Sequence, residues 1–270
     1  MPFARAHVGL LLLFPLTFLA FWRGYFSDLS GAPLAFHVHG VTASLWLGLL
    51  ALQSWTIGTR AVVLHRAAGL GVFLVLPLFT AGGLLVMQTM AGKFAAAADP
   101  FNGAFGARLA TVDLVAALAV PAMAMLALRH RRKMRLHGGY MLATVLFLLS
   151  PIIGRALPYV PGFPMGGLAG RHPFEVAFHL AQIIAIAAAL LLYLRAPRHG
   201  QPFLAAALLT ALQSVTFETL GRAGWWETLV GLLATIPGAL LAALGIGYAA
   251  LMLRAGWSGG AAARGAMRAA

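Results

Sequence analysis

Four ionisable residues lie within long apolar runs and are the first candidates for chemistry: His39, Asp113, His179 and Glu218. A charged side chain in hydrocarbon costs about 3 kcal/mol on insertion scales, so such residues persist where they are paired or where they act. Imidazole and carboxylate are borderline ligands that suit zinc, iron or copper. A metal with an open coordination position can activate water or oxygen. These four residues therefore predict a metal site whose ligands converge from four helices.

A second pair of histidines opens two later apolar runs. His65 and His137 each stand at the start of such a run, with Arg66 and Arg135 beside them. Two imidazoles can ligate a non-covalent haem b, and arginines pair well with haem propionates. The simpler interpretation is that both histidines face lipid headgroups, and the sequence leaves both interpretations open.

The spacing on the second apolar run indicates which histidine faces the protein. His39, Thr42, Trp46 and Gln53 share one helix face, because their offsets follow the helical repeat. His37 points to roughly the opposite side. We therefore expect His39 to face the bundle interior.

Two carboxylates have different expected partners. Glu218 and Arg222 are four residues apart and are most simply an ion pair on one helix. Asp113 has no basic residue within one turn on its own helix, so its partner should come from another helix, such as Arg155 or a histidine. Arg155 could instead extend toward the membrane surface.

The elements that position these residues are transmembrane helices. The chain has 270 residues, of which 61% are hydrophobic and 9% charged, whereas soluble domains carry about 25% charged residues. Apolar runs of about 20 residues, each long enough to cross roughly 30 Å of hydrocarbon, recur along the chain. We predict an all-α integral membrane helical bundle with about eight spans, at 8–22, 34–57, 68–90, 106–128, 138–157, 173–195, 203–221 and 229–253.

These spans form a single transmembrane domain over residues 1–255, with a four-helix core at 34–157 and a flexible cytoplasmic tail at 256–270. Prolines inside the spans predict kinks at Pro77, Pro121, Pro151 and Pro237.

The charge distribution predicts the orientation. The formal net charge is +13, and the basic residues concentrate in short loops, most densely at 129–135. This pattern indicates topology and contact with anionic lipids rather than nucleic acid. Both termini should be cytoplasmic. The absence of cysteine excludes thiolate metal sites and covalently attached haem.

Three segments carry a resemblance to a known family: AFHVHGVTASLWLGLLALQ, VLHRAAGLGVF and RLHGGYMLATVLFLLSPIIGR. They resemble a large family of uncharacterised bacterial polytopic membrane proteins with an H, LHR, G, H, M, P, R pattern over roughly residues 35–156. The matching positions are His39, His65, Arg66, Gly69, His137, Met141, Pro151 and Arg155. The resemblance implies a multi-pass protein of the bacterial cytoplasmic (inner) membrane and implies no activity.

The four-helix core also resembles the di-haem transmembrane cytochromes b of the ascorbate- and ferric-reductase type. That resemblance implies that His65 and His137 hold one haem b at the inner end. The outer pair departs from the pattern, because Asp113 stands where a histidine is expected. An outer haem would then use His39 with His179, or would be absent, and we place Arg155 in the same cofactor-binding set.

Three functions remain open from the sequence. The leading one is a haem-b redox protein that exchanges electrons with quinone or an outer-face acceptor. The second is a metal-dependent membrane enzyme with a His and carboxylate site near the outer leaflet. The third is a proton-coupled transporter or a non-catalytic assembly subunit.

Overall fold

A computed structural model describes the backbone of residues 5–269 and the side chains of residues 5–259. The described chain is all-helical and contains no strand. Its α-helices are α1 (Ala6–Ala20), α2 (Leu34–Gly58), α3 (Val62–Gly69), α4 (Val72–Ala95), α5 (Pro100–Arg129), α6 (Met134–Ala143), α7 (Leu146–Ala156), α8 (Pro173–Arg195), α9 (Gln201–Glu218), α10 (Gly224–Leu233) and α11 (Gly238–Ala269).

Seven stretches of the described chain are long and apolar enough to cross a bilayer: Leu34–Gly58, Val72–Ala95, Pro100–Arg129, Met134–Tyr159, Pro173–Arg195, Gln201–Arg222 and Gly238–Gly259. They match seven of the eight predicted spans, so the helical membrane bundle is confirmed. The remaining predicted span corresponds to α1, which is apolar but has only 15 residues. At 1.5 Å per residue it is about 22 Å long, shorter than a typical hydrocarbon core. The count of eight stays a prediction.

The last predicted span, 229–253, is wrong at its start. The structure ends α10 at Leu233 and begins the spanning part of α11 only at Gly238. Pro237 lies between them and cannot donate a backbone hydrogen bond to a preceding turn. By contrast, α4, α5 and α7 continue past Pro77, Pro121 and Pro151.

The segment predicted to be a flexible tail begins within α11. The α11 backbone is helical to Ala269, and its side chains are described only to Gly259. The flexibility of residues 256–270 stays a prediction.

Small residues allow the central helices to approach closely. Ala124, Ala127 and Ala143 are fully buried in the main core, together with Trp46 and Leu76. Helix α4 packs against α2, α5 and α11, and α8 packs against α7 and α9. Because alanine and glycine carry so little side chain, helix axes come near enough for backbone contact.

The bundle has two ends, the His39 end and the His137 end, each named after a histidine that lies there. At the His39 end α2, α5 and α8 begin, and α4, α7 and α9 finish. At the His137 end α2 and α5 finish, and α3 and α6 begin. The candidate residues therefore divide between the two ends.

Candidate functional site

The histidine pair at the His137 end consists of His65 on α3 and His137 on α6. The Nδ1 atom of His137 lies 2.9 Å from the carbonyl oxygen of Ala127. A carbonyl can only accept, so this nitrogen carries the proton and donates. The Nε2 atom of His137 then has a free lone pair and makes no hydrogen bond within the described residues.

His65 is held against the end of α2 in a similar way. Its Nδ1 lies 3.4 Å from the Thr56 hydroxyl, and that hydroxyl donates to the Gln53 carbonyl at 3.0 Å. Burial lowers the pKa of His65, a shift that the Gln53 carbonyl opposes and the Arg66 charge reinforces. A lowered pKa favours the neutral ring, which is the form that ligates metals.

The charge of His65 acts on His137. The Nδ1 of His65 faces the Thr56 hydroxyl and that of His137 faces the Ala127 carbonyl, while the Nε2 of His137 makes no hydrogen bond in the described chain. In haem proteins, an axial histidine is oriented through the ring nitrogen that does not bind the iron. Arg66 and Arg135 are both exposed beside the two histidines.

A second group, the His39 cluster, is defined by the charge of Arg155, which acts on His39 and on Asp113. The His39 ring stacks on Phe79, with 5.3 Å between ring centroids and 24° between planes. Its Nδ1 is buried and has no hydrogen-bond partner among the described residues. His37 instead lies 2.7 Å from the Tyr25 hydroxyl. As predicted, His39 and not His37 faces the interior.

The Asp113 carboxylate is half-buried in the middle of α5. It makes no hydrogen bond and no ion pair within 4 Å in the described chain, although the charge of Arg155 acts on both Asp113 and His39. The Arg155 guanidinium donates to the Pro151 carbonyl at 3.1 Å and lies 4.6 Å from the Phe21 ring centroid. Arg155 is thus the predicted electrostatic partner of Asp113, without direct contact.

The third group is an ion-pair network at the His39 end that joins α5, α8 and α9. The buried Arg108 lies 2.7 Å from Glu175 and 3.1 Å from Glu218. Arg222 contacts Glu218 at 2.8 Å and Glu175 at 3.2 Å. The predicted pair of Glu218 and Arg222 is therefore confirmed, within a larger network.

Two predicted metal ligands, His179 and Glu218, meet in this network. His179 Nε2 lies 2.6 Å from Glu218 Oε1, and Arg171 contacts the same oxygen at 3.1 Å. Arginines therefore occupy both oxygens of Glu218. His39 and Asp113 belong to the other cluster, around Arg155. Within residues 5–259, no group of three or more His, Asp or Glu side chains is placed to hold a metal ion.

Arg108 and Arg171 are the network residues that sequence reasoning missed. Arg108 is enclosed by aromatic rings, with its guanidinium carbon 3.9 Å from the Phe217 centroid and 5.2 Å from that of Phe105. A buried arginine needs a carboxylate, and only six acidic residues exist in the chain. That scarcity could have linked Arg108 to Glu175 or Glu218. Nothing in the sequence indicates a partner for Arg171, which lies in the loop before α8.

Comparisons of this chain with protein-family models, curated proteins and solved structures find no match. Both family resemblances therefore stay predictions.

Proposed function

We propose that this protein is an integral membrane redox protein that binds a non-covalent haem b through His65 and His137. The observation that supports this most is that both imidazoles lie at the His137 end and that each is oriented through its Nδ1. Each directs its Nδ1 to the end of a neighbouring helix, and His137 leaves its Nε2 without a hydrogen bond in the described chain. A bound haem supplies one-electron chemistry.

Neighbouring residues orient the two imidazoles and supply positive charge beside them. The Ala127 carbonyl fixes the tautomer and the direction of the His137 ring. Burial lowers the pKa of His65, which favours its neutral form. The guanidinium groups of Arg66 and Arg135 would form charge-assisted hydrogen bonds with carboxylates at the rim.

We place the His137 end in the cytoplasm and both termini on the same side, in a bacterial inner membrane. The basic cluster at 129–135 supports this orientation. Electrons would then pass between a site near the cytoplasmic surface and quinone or an acceptor at the opposite face.

An absorption spectrum tests the proposal. The protein is produced with haem supplied, purified in detergent, and compared with His65→Ala and His137→Ala. We expect a Soret band in the wild type and its loss in both variants. His130→Ala is the matched control, because that ring lies in the loop just before α6 but bonds to the Leu126 carbonyl and stacks on Tyr140. A wild-type protein that shows no Soret band would contradict the proposal.

A second candidate is a proton-coupled carrier, and the observation that favours it is the Asp113 carboxylate. An intramembrane carboxylate with no contacting partner in the described chain is suited to bind and release a proton or cation. Proton uptake into proteoliposomes should then be lost in Asp113→Asn. Unchanged uptake removes this candidate.

A further inference from the structure

A cavity of about 200 Å³ opens at the His39 end, where the segment between α1 and α2 meets the end of α4. We call it the Lys93 cavity. Its lining includes Arg23, Tyr25, Asp28, Gly31, Phe36 and Lys93. Pockets for drug-sized ligands measure about 300–1,000 Å³, so this cavity has room for a smaller polar group.

Two cations at the cavity have hydrogen-bond donors that the chain does not use. Lys93 is half-buried in the last turn of α4, and its Nζ lies 5.6 Å from the Phe36 ring centroid. Arg23 is placed in the same way, with its Cζ 5.3 Å from the Tyr159 ring centroid. A ring contact stabilises the charge but leaves the N–H donors free. Within the described chain neither cation has a carboxylate within 4 Å, which favours an anionic ligand.

A carboxylate in the same cavity requires that the ligand also carry a positive charge. Asp28 Oδ1 accepts from the Ser30 hydroxyl and from the Gly31 backbone N–H, each at 3.0 Å. Oδ2 makes no hydrogen bond within the described residues, and a Cβ added at Gly31 would collide with it. The glycine therefore leaves space beside this oxygen. A purely anionic ligand would be repelled by Asp28, whereas an ammonium group would pair with it.

The cavity lies at the boundary of the membrane-spanning region. Lys93 is near the end of one candidate span, and Phe36 is in the first turn of another. The segment that lines the cavity between them also exposes Trp22, Leu29 and Leu34, the last of which is 77% exposed. Tryptophan is typical of the interface between lipid and water. Exposed apolar side chains beside a charged cavity favour a lipid over a water-soluble ligand.

We propose that the Lys93 cavity binds the headgroup of a phosphatidylethanolamine lipid. The phosphate accepts charge-assisted hydrogen bonds from Lys93 and Arg23, and the primary ammonium donates to Asp28. Phosphatidylglycerol has the same phosphate but no ammonium, so it leaves Asp28 unpaired beside an anion. This binding involves neither His65 nor His137 and does not require haem.

Native mass spectrometry of the delipidated protein in detergent tests the proposal. The wild type and Lys93→Gln are titrated with phosphatidylethanolamine and, separately, with phosphatidylglycerol. We expect the wild type to retain one phosphatidylethanolamine per chain in preference to phosphatidylglycerol, and Lys93→Gln to bind phosphatidylethanolamine at least fivefold more weakly. Lys133→Gln is the matched control, because Lys133 is the other lysine of the chain and is exposed near the His137 end. It should bind as the wild type does.

Asp28→Asn tests the recognition of the ammonium group. Asparagine keeps an oxygen that can accept from Ser30 and Gly31, so the local turn is preserved while the charge is removed. This variant should lose the preference for phosphatidylethanolamine over phosphatidylglycerol. Soluble O-phosphoethanolamine carries the same charges without acyl chains and should bind at least tenfold more weakly than the lipid.

Four results would overturn the lipid site. They are a wild type that retains no lipid, equal binding in Lys93→Gln, an unchanged lipid preference in Asp28→Asn, and O-phosphoethanolamine binding as tight as that of the lipid. The variant His65→Gln/His137→Gln should keep the lipid whether or not the wild type binds haem, so the two proposals fail separately.

Discussion

At the scale of single residues, the buried Arg108 requires carboxylate partners inside the bundle. Its charge lies among phenylalanine rings and is balanced by Glu175 and Glu218. Removing one partner of a buried pair costs about 3–5 kcal/mol. Because Glu218 remains, we expect Glu175→Gln to lower the free energy of unfolding by about 3 kcal/mol, measured by denaturant titration in detergent. The exposed Glu227, which makes no ion pair in the described chain, is the control, and Glu227→Gln should change little. If the two substitutions changed the free energy of unfolding equally, the ion pair of Arg108 with Glu175 would be contradicted.

His65 gives a second prediction at this scale, in the pH dependence of stability. Burial lowers its pKa in the folded protein below the ordinary value of 6.5. The unfolded chain therefore takes up the proton first, and stability present above about pH 6.5 is lost as the pH falls through the lowered pKa. We expect the melting temperature of the haem-free protein to drop less between pH 8 and pH 5.5 in His65→Gln than in the wild type. An identical drop would show that His65 titrates normally.

At the scale of elements, glycine positions decide how closely α4 and α11 pack. A Cβ at Gly245 would lie 3.0 Å from the Ala81 Cα, whereas one at Gly247 meets no atom within 4 Å. We expect Gly245→Ala to cost about 1–3 kcal/mol through overpacking. Gly247→Ala should gain up to about 1 kcal/mol from helix propensity. Thermal unfolding in one detergent compares the two, and a stabilising Gly245→Ala would contradict the close approach.

The helices themselves could be predicted well from the sequence, since long apolar runs are a local property. The positions of Pro77 and Pro237 show the limit of that reasoning. Both are predicted kinks within spans; α4 continues through Pro77, where the kink stays a prediction, whereas the chain leaves the helix before Pro237. Neighbouring helices determine which outcome occurs. The scarcity of carboxylates narrows the partners of Arg108 to a few residues, but helix periodicity does not select Glu175 and Glu218, because they come from α8 and α9, 67 and 110 residues further along the chain.

At the scale of the whole molecule, the orientation can be tested cleanly because the chain contains no cysteine. Ala98→Cys introduces a thiol at the His39 end, and Ser258→Cys introduces one at the His137 end, both at exposed positions. We expect a membrane-impermeant maleimide to label Ala98→Cys in intact cells and Ser258→Cys only after lysis. The reverse pattern would contradict cytoplasmic termini and place the histidine pair at the outer surface.

The haem content of the purified protein tests the central claim most directly. Haem is extracted and quantified against protein concentration for the wild type, His130→Gln and the double variant His65→Gln/His137→Gln. We predict one haem per chain in the first two proteins and none in the double variant. A wild type without haem, or a double variant that retains it, would contradict the assignment of these two imidazoles as its ligands.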